Sequence, residues 1–157
     1  MIAYCLEKWN KNKDKLKAHL SEHTDLYHVE YLDLVKMIVT HILNDDTRDI
    51  VWDVDKITEI DNGNYQGTLL YLIPEDTYQP SEYQYLMTYV GYGSCSGCDT
   101  LLSIQPYTGE LLSEDGLKDY MTLCKDIITN MTKPYNTGWR QSSRFETVVM
   151  EEFINDQ

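Results

Sequence analysis

Apolar residues recur at helical spacing from the start of the chain. Ile2, Cys5, Leu6, Trp9, Leu16 and Leu20 fall on one stripe and lysines fill the rest, which predicts an amphipathic helix over residues 2–21. Tyr31, Leu34, Val35, Ile38, Val39 and Ile42 mark a second helix over residues 28–43, with an apolar face broader than a surface helix needs. The short link over residues 21–27 sets the two antiparallel, so that each supplies the other's apolar partner.

After Asn44-Asp45-Asp46 the pattern changes to β-branched and aromatic residues. Residues 50–60 read as extended chain and 66–73 as a second strand, with Asp61-Asn62-Gly63-Asn64 as the turn between them. Asn-Gly tolerates the positive φ angles of tight hairpin turns, and Pro74 closes the strand. A third strand over residues 83–92 alternates Tyr83, Tyr85, Met87 and Tyr89 with Leu86, Val90 and Tyr92, so both of its faces are partly apolar.

Three helical segments complete the pattern. A short helix over residues 99–104 is limited by Pro106 and Gly109. A longer one is N-capped by Ser113 and carries Leu117, Tyr120, Met121, Cys124, Ile127, Ile128 and Met131 up to Lys133-Pro134. Ser143 and Glu146 form a capping box for a final helix that buries Val148, Val149 and Phe153. Helices, then three strands, then helices, without repeats or a linker, predict one α+β domain over residues 1–157. Its small antiparallel sheet would be covered on one face by helices.

Length and charge narrow the classes. A chain of 157 residues can bury one sizeable core. The net charge of −13 opposes contact with a phosphate backbone, so direct nucleic-acid binding is not expected. The charge is uneven: five lysines against Glu7 and Asp14 leave residues 1–19 at +3 and the remainder at −16. Lysines punctuate the first helix where a secretory signal would need an apolar run, and no stretch approaches a membrane span. The expected location is cytoplasmic, where the four cysteines would be free thiols.

Chemistry concentrates in Gly93-Ser94-Cys95-Ser96-Gly97-Cys98-Asp99. Cys95 and Cys98 have the spacing to grip one metal ion, with zinc the alternative to no cofactor at all, or to close a small disulfide. Zinc would need two further ligands, and no second Cys-x-x-Cys or clear His pair supplies them. A thioredoxin-like reading has the local context of a strand, the cysteines and a helix, but lacks a preceding βαβ unit. The third reading is a packed corner in which glycines allow close backbone approach and cysteine acts as a small apolar residue. The same glycines could cradle an anion, although no Lys follows and Asp99 would repel it. No catalytic triad, His-Glu-x-x-His helix or carboxylate pair singles itself out, so enzymatic function has no positive support.

Thirteen tyrosines include Tyr78, Tyr83, Tyr85, Tyr89 and Tyr92 close to Glu75, Asp76 and Glu82. Tyrosine gives contact area at low entropic cost, which suits protein binding as well as packing across a sheet. Tyr83, Tyr85, Tyr89 and Tyr92, with the acidic run Asp45, Asp46, Asp49, Asp53 and Asp55, are the expected partner-binding residues. The aspartates would stand in for phosphates if the surface mimicked DNA.

The segments Ile57-Thr58-Glu59-Ile60-Asp61, Gly67-Thr68-Leu69-Leu70 and Ile73-Pro74-Glu75-Asp76-Thr77-Tyr78, with Tyr92-Gly93-Ser94-Cys95-Ser96-Gly97-Cys98-Asp99-Thr100-Leu101, resemble an uncharacterised family of small acidic bacteriophage proteins. His28-Val29-Glu30-Tyr31-Leu32-Asp33-Leu34-Val35 is similar to that family's N-terminal helix motif, and the likeness spans residues 26–132. It implies a phage origin and action inside an infected bacterium, with no catalytic residues to carry over. A small acidic phage protein of this kind is expected to inhibit or modulate a host protein, such as a nuclease or another immune component. A thiol or zinc protein and a binder of a signalling nucleotide are the competing expectations.

Overall fold

The computed structural model describes residues 1–46 and 50–134. It is an α+β fold. Helix α1 (Ile2–Glu22) packs against the π-helical turn Val39–Leu43 that continues α2 (Tyr31–Ile38). Three antiparallel strands follow, β1 (Thr58–Asp61), β2 (Gly67–Pro74) and β3 (Tyr85–Tyr92), with β2 in the centre. A short α3 (Thr100–Ile104) leads to α4 (Glu114–Thr129), which packs on α1, α2, α3 and β3. No described helix is long and apolar enough to cross a membrane.

The apolar stripe of α1 has a polar interruption that the spacing rule treats as surface. Cys5, Trp9, Leu16 and Leu20 are buried, but so are Lys8 and Asn12. Asn12 donates its side-chain amide to the Ile42 carbonyl at 2.9 Å. The i→i+5 pattern of the π turn leaves carbonyls short of helical partners, and Asn12 satisfies one of them. Lys8 donates to Asp45 at 2.8 Å, tying α1 to the loop after that turn.

Several boundaries move for local reasons. The second helix begins at Tyr31 rather than at residue 28, because Glu30 and Asp33 form a reciprocal capping box there. Leu26–His28 is a separate 3-10 turn. The extended segment expected over residues 50–60 is broken: Trp52 forms a lone bridge with Glu75, and Val54–Lys56 winds into a 3-10 turn. Asp53 starts that turn by accepting from the Asp55 amide, and it also pairs with Lys56 at 2.9 Å. A Ser81/Gln84 capping box likewise makes Glu82–Gln84 helical, so β3 starts at Tyr85 and not at Tyr83. Pro74 does end β2. Ser113 caps α4 as expected and Asp99 caps α3, while α4 stops at Thr129. The expected final helix lies outside the described residues.

The β1–β2 turn departs from the two-residue hairpin that Asn-Gly favours, since neither residue takes a positive φ. Asn62 instead accepts the Thr68 amide at 2.7 Å, closing a longer loop. Gly63 is needed for space: a Cβ there would collide with the Gln66 carbonyl oxygen.

Strand register assigns the faces. Leu69, Tyr71 and Ile73 of β2 join Leu86 and Val90 of β3 in the main core with the helices, and Tyr92 packs partly against it. Leu70, Leu72 and Met87 point the other way and are also buried, flanked by Ile60, Tyr85 and Tyr89. The described helices cover one face of the sheet, as expected. Its outer face has a small apolar cluster of its own, as the two-sided apolar pattern of β3 foreshadows.

Candidate functional site: an acidic, tyrosine-lined cleft

The core face of the sheet extends at its β1 edge into a cleft of about 440 Å³. One wall is the segment from Tyr27 to Tyr31, which carries His28 and Glu30. The other combines Glu59 and Asp61 of β1, Leu69 of β2 and Tyr92 of β3 with Asp99, Leu102 and Gln105. Glu59 and Asp61 reach it together because they are two apart on one strand and therefore project to the same face.

Three tyrosines each donate a hydroxyl to one carboxylate here. Tyr31 bonds Asp99 Oδ1 at 2.9 Å, Tyr71 bonds Glu59 Oε2 at 2.8 Å, and Tyr92 bonds Asp61 Oδ1 at 2.6 Å. Burial raises the phenols of Tyr31 and Tyr71 above their ordinary range, and the adjoining carboxylates add to the effect. The hydrogen bond to Asp61 is the main cause that pushes Tyr92 up to about 12. All three phenols are thus neutral donors at physiological pH. No Lys or Arg lines the cleft among the described residues, so the negative charge of Glu30, Glu59, Asp61 and Asp99 is spread over phenol hydroxyls and amides without a countercharge.

Asp99 is the hub that holds the cleft to the Gly-rich turn. It is 6% exposed, caps α3 by accepting the Leu102 amide at 3.1 Å, and accepts the Gly93 amide at 3.0 Å. The Tyr31 hydroxyl that donates to it also accepts the Leu101 amide at 3.1 Å. Gly93 is where the turn requires glycine, because a Cβ would lie 2.6 Å from Cys98 Sγ and 2.7 Å from the Cys98 carbonyl oxygen. Gly97 has no such constraint, with only Cys95 Sγ as near as 4.0 Å.

Cys95 and Cys98 lie exposed on this turn with their sulfurs 2.6 Å apart. Cys98 Sγ also accepts the Cys95 amide at 3.1 Å. The hydrogen bond between the two sulfurs, aided by the Gly97 amide, lowers the Cys95 thiol below its ordinary pKa. Cys5 and Cys124 are buried, and burial pushes them up to about 11 and about 12. The turn is therefore not a site where cysteine acts as a buried apolar residue. Among the described residues no group of three or more His, Cys, Asp or Glu is placed to hold a metal ion.

The expected partner-binding residues do not form one surface. Asp45 is held by Lys8 at 2.8 Å and Lys11 at 3.0 Å, with its side chain 2% exposed. Asp53 is turned back onto Lys56, while Asp46 and Asp55 are exposed and Asp49 lies outside the described residues. Tyr85 and Tyr89 sit on the outer sheet face, Tyr83 is exposed ahead of the strand, and Tyr92 alone reaches the cleft. The lysine-rich first helix is partly neutralised by Asp45 and Asp46. Its Lys13 and Lys17 instead share a groove with Lys118 and Lys125 of α4.

Glu59, Asp61, Tyr31, Tyr71 and Asp99 escape a reading by local runs, because charged and aromatic partners are 12 to 68 residues apart. The alternation of Glu59 and Asp61 with Thr58 and Ile60 is the one local signal that places two acids on a single strand face. No family model, curated protein or solved structure matches the chain.

Proposed function

We propose that this chain is a non-enzymatic binding protein that takes a basic side chain of a protein partner into the acidic, tyrosine-lined cleft. The observation that carries this reading is the set of four carboxylates around about 440 Å³, with no lysine or arginine among the described residues that line it. A guanidinium or ammonium group would find carboxylate acceptors at Glu59 and Asp61 and aromatic surface at Tyr27 and Tyr92. The same charge opposes a nucleotide, whose phosphates would face those carboxylates. The resemblance to acidic phage proteins makes a host bacterial protein the expected partner, and inhibition or modulation of it the expected result. The DNA-mimic form has weaker support, since Asp45 and Asp53 are engaged within the chain.

The test is calorimetric titration with short arginine- and lysine-containing peptides and with glutamate-containing controls, followed by the Glu59→Gln/Asp61→Asn variant. Loss of charge-assisted hydrogen bonds worth about 1.5–3 kcal/mol each should weaken binding at least about tenfold. Added salt should weaken it as well, because the cleft opens to solvent. Equal affinity for basic and acidic peptides, or no effect of the double variant, rejects the reading. Affinity capture from bacterial lysate with wild-type and variant baits then identifies the partner as the protein the variant fails to retain.

A further inference from the structure

We propose that Cys95 and Cys98 form a redox-active dithiol that exchanges with low-molecular-weight disulfides. The sulfurs are 2.6 Å apart on an exposed turn. Two thiolates sharing a tetrahedral zinc ion at about 2.3 Å each would stand roughly 3.8 Å apart. The folded pair is closer than that and needs only a small movement to bond sulfur to sulfur. Gly93, packed directly beneath Cys98, and the Cys95 amide, which donates to Cys98 Sγ at 3.1 Å, keep the second sulfur beside the first.

The geometry also assigns the roles. Cys95 is the attacking thiol, because its sulfur shares a 2.6 Å contact with Cys98 Sγ, and that contact together with the Gly97 amide favours its thiolate. Its sulfur attacks one sulfur of a small disulfide RSSR, forming a Cys95–SR mixed disulfide and releasing RS⁻. Cys98 then attacks the Cys95 sulfur and releases the second RS⁻. The two thiol protons pass to the two leaving thiolates. In sum, two protein thiols and RSSR give the Cys95–Cys98 disulfide and two RSH: the protein is oxidised and the small disulfide is reduced. Cys5 and Cys124, buried and with raised thiol pKa values, take no part.

The test uses the full-length, reduced protein and glutathione disulfide as the probe, with native alkylation and peptide mass mapping as the readout. Oxidation should remove both Cys95 and Cys98 from the alkylatable pool with a mass loss of two hydrogens. Glutathione should not remain attached. In Cys98→Ser, glutathione should accumulate on Cys95 as a stable mixed disulfide, whereas Cys95→Ser should form its adduct at Cys98 more slowly. Persistent adducts on the wild type, equal rates in the two single variants, or thiols that stay alkylatable would overturn the proposal. Circular dichroism of each variant verifies that it is folded. Peptide binding plays no part in this readout, so its outcome is independent of the cleft's ligand.

Discussion

Tyr31 and Asp99, 68 residues apart in the chain, are joined by a buried 2.9 Å hydrogen bond that locks the start of α2 to the cap of α3. The Tyr31 hydroxyl is used twice, since it also accepts the Leu101 amide at 3.1 Å. Tyr31→Phe would leave a buried amide without a partner and remove one donor from a buried carboxylate, at a cost of about 1–3 kcal/mol. Tyr120 supplies the control. It is fully buried and its hydroxyl has no hydrogen-bond partner among the described residues. The same atom removed in Tyr120→Phe should be neutral or slightly stabilising. Urea unfolding of the two variants checks the contrast, and equal losses of stability would refute it.

The two flanking glycines of the cysteine turn should respond differently to one methyl group. In Gly93→Ala the added carbon meets the Cys98 carbonyl, a backbone atom that cannot move without disturbing the Asp99 cap. A loss of about 1–3 kcal/mol is expected from such overpacking. Gly97→Ala meets nothing nearer than 4.0 Å and should stay within about 0.5 kcal/mol of the wild type. Thermal unfolding of both variants measures the difference.

What was legible in the sequence follows from which interactions are periodic or local. The stripes of α1 and α4, the Ser113 cap and the apolar alternation of β3 depend on neighbours within a turn or a strand, so the pattern carries them. The extended reading of residues 50–60 failed because one aspartate, Asp53, captured the Asp55 amide and bent the chain. β propensity does not register that competition. The acidic run Asp45 to Asp55 looks like a surface by composition, yet Lys8 and Lys11 of the distant first helix claim Asp45. The cleft was hidden for the same reason: its tyrosine–carboxylate pairs are long-range, and only folding brings Tyr31, Tyr71 and Tyr92 to their acids.

Asp45 is therefore expected to matter for stability rather than for binding. Its side chain and that of Lys8 are 2% and 8% exposed, so removing the carboxylate takes a 2.8 Å countercharge from an ammonium group in a nearly dry site. Asp45→Ala should cost about 3–5 kcal/mol, as for other buried pairs that lose one partner. Asp46→Ala, whose carboxylate is fully exposed and 3.8 Å from Lys15, should change stability by less than about 1 kcal/mol. Denaturant midpoints settle the ranking, and similar midpoints for the two variants would contradict it.

A pair of histidines should give the fold a pH response of definite sign. His19 on α1 and His41 in the π turn stack with ring centroids 4.3 Å apart, and His23 approaches His19 edge-on at 5.5 Å. Partial burial lowers both His19 and His41 below the ordinary histidine pKa; repulsion from His23 adds to it at His19, where Glu22 opposes, and repulsion from His19 adds to it at His41. The unfolded chain therefore takes up protons at a higher pH than the folded one does. By linkage their contribution is fully present above about pH 6.5 and declines as the pH falls from there through the folded-state values. Carboxylates titrate at lower pH, and the falling net charge changes stability too, so the informative quantity is the difference between wild type and His41→Gln. That difference should shift in favour of the variant between about pH 7 and pH 5.5 in urea unfolding, because the variant no longer carries the His41 ring whose pKa burial and His19 lower on folding. Parallel curves over that window would show that the stacked pair does not couple protonation to folding.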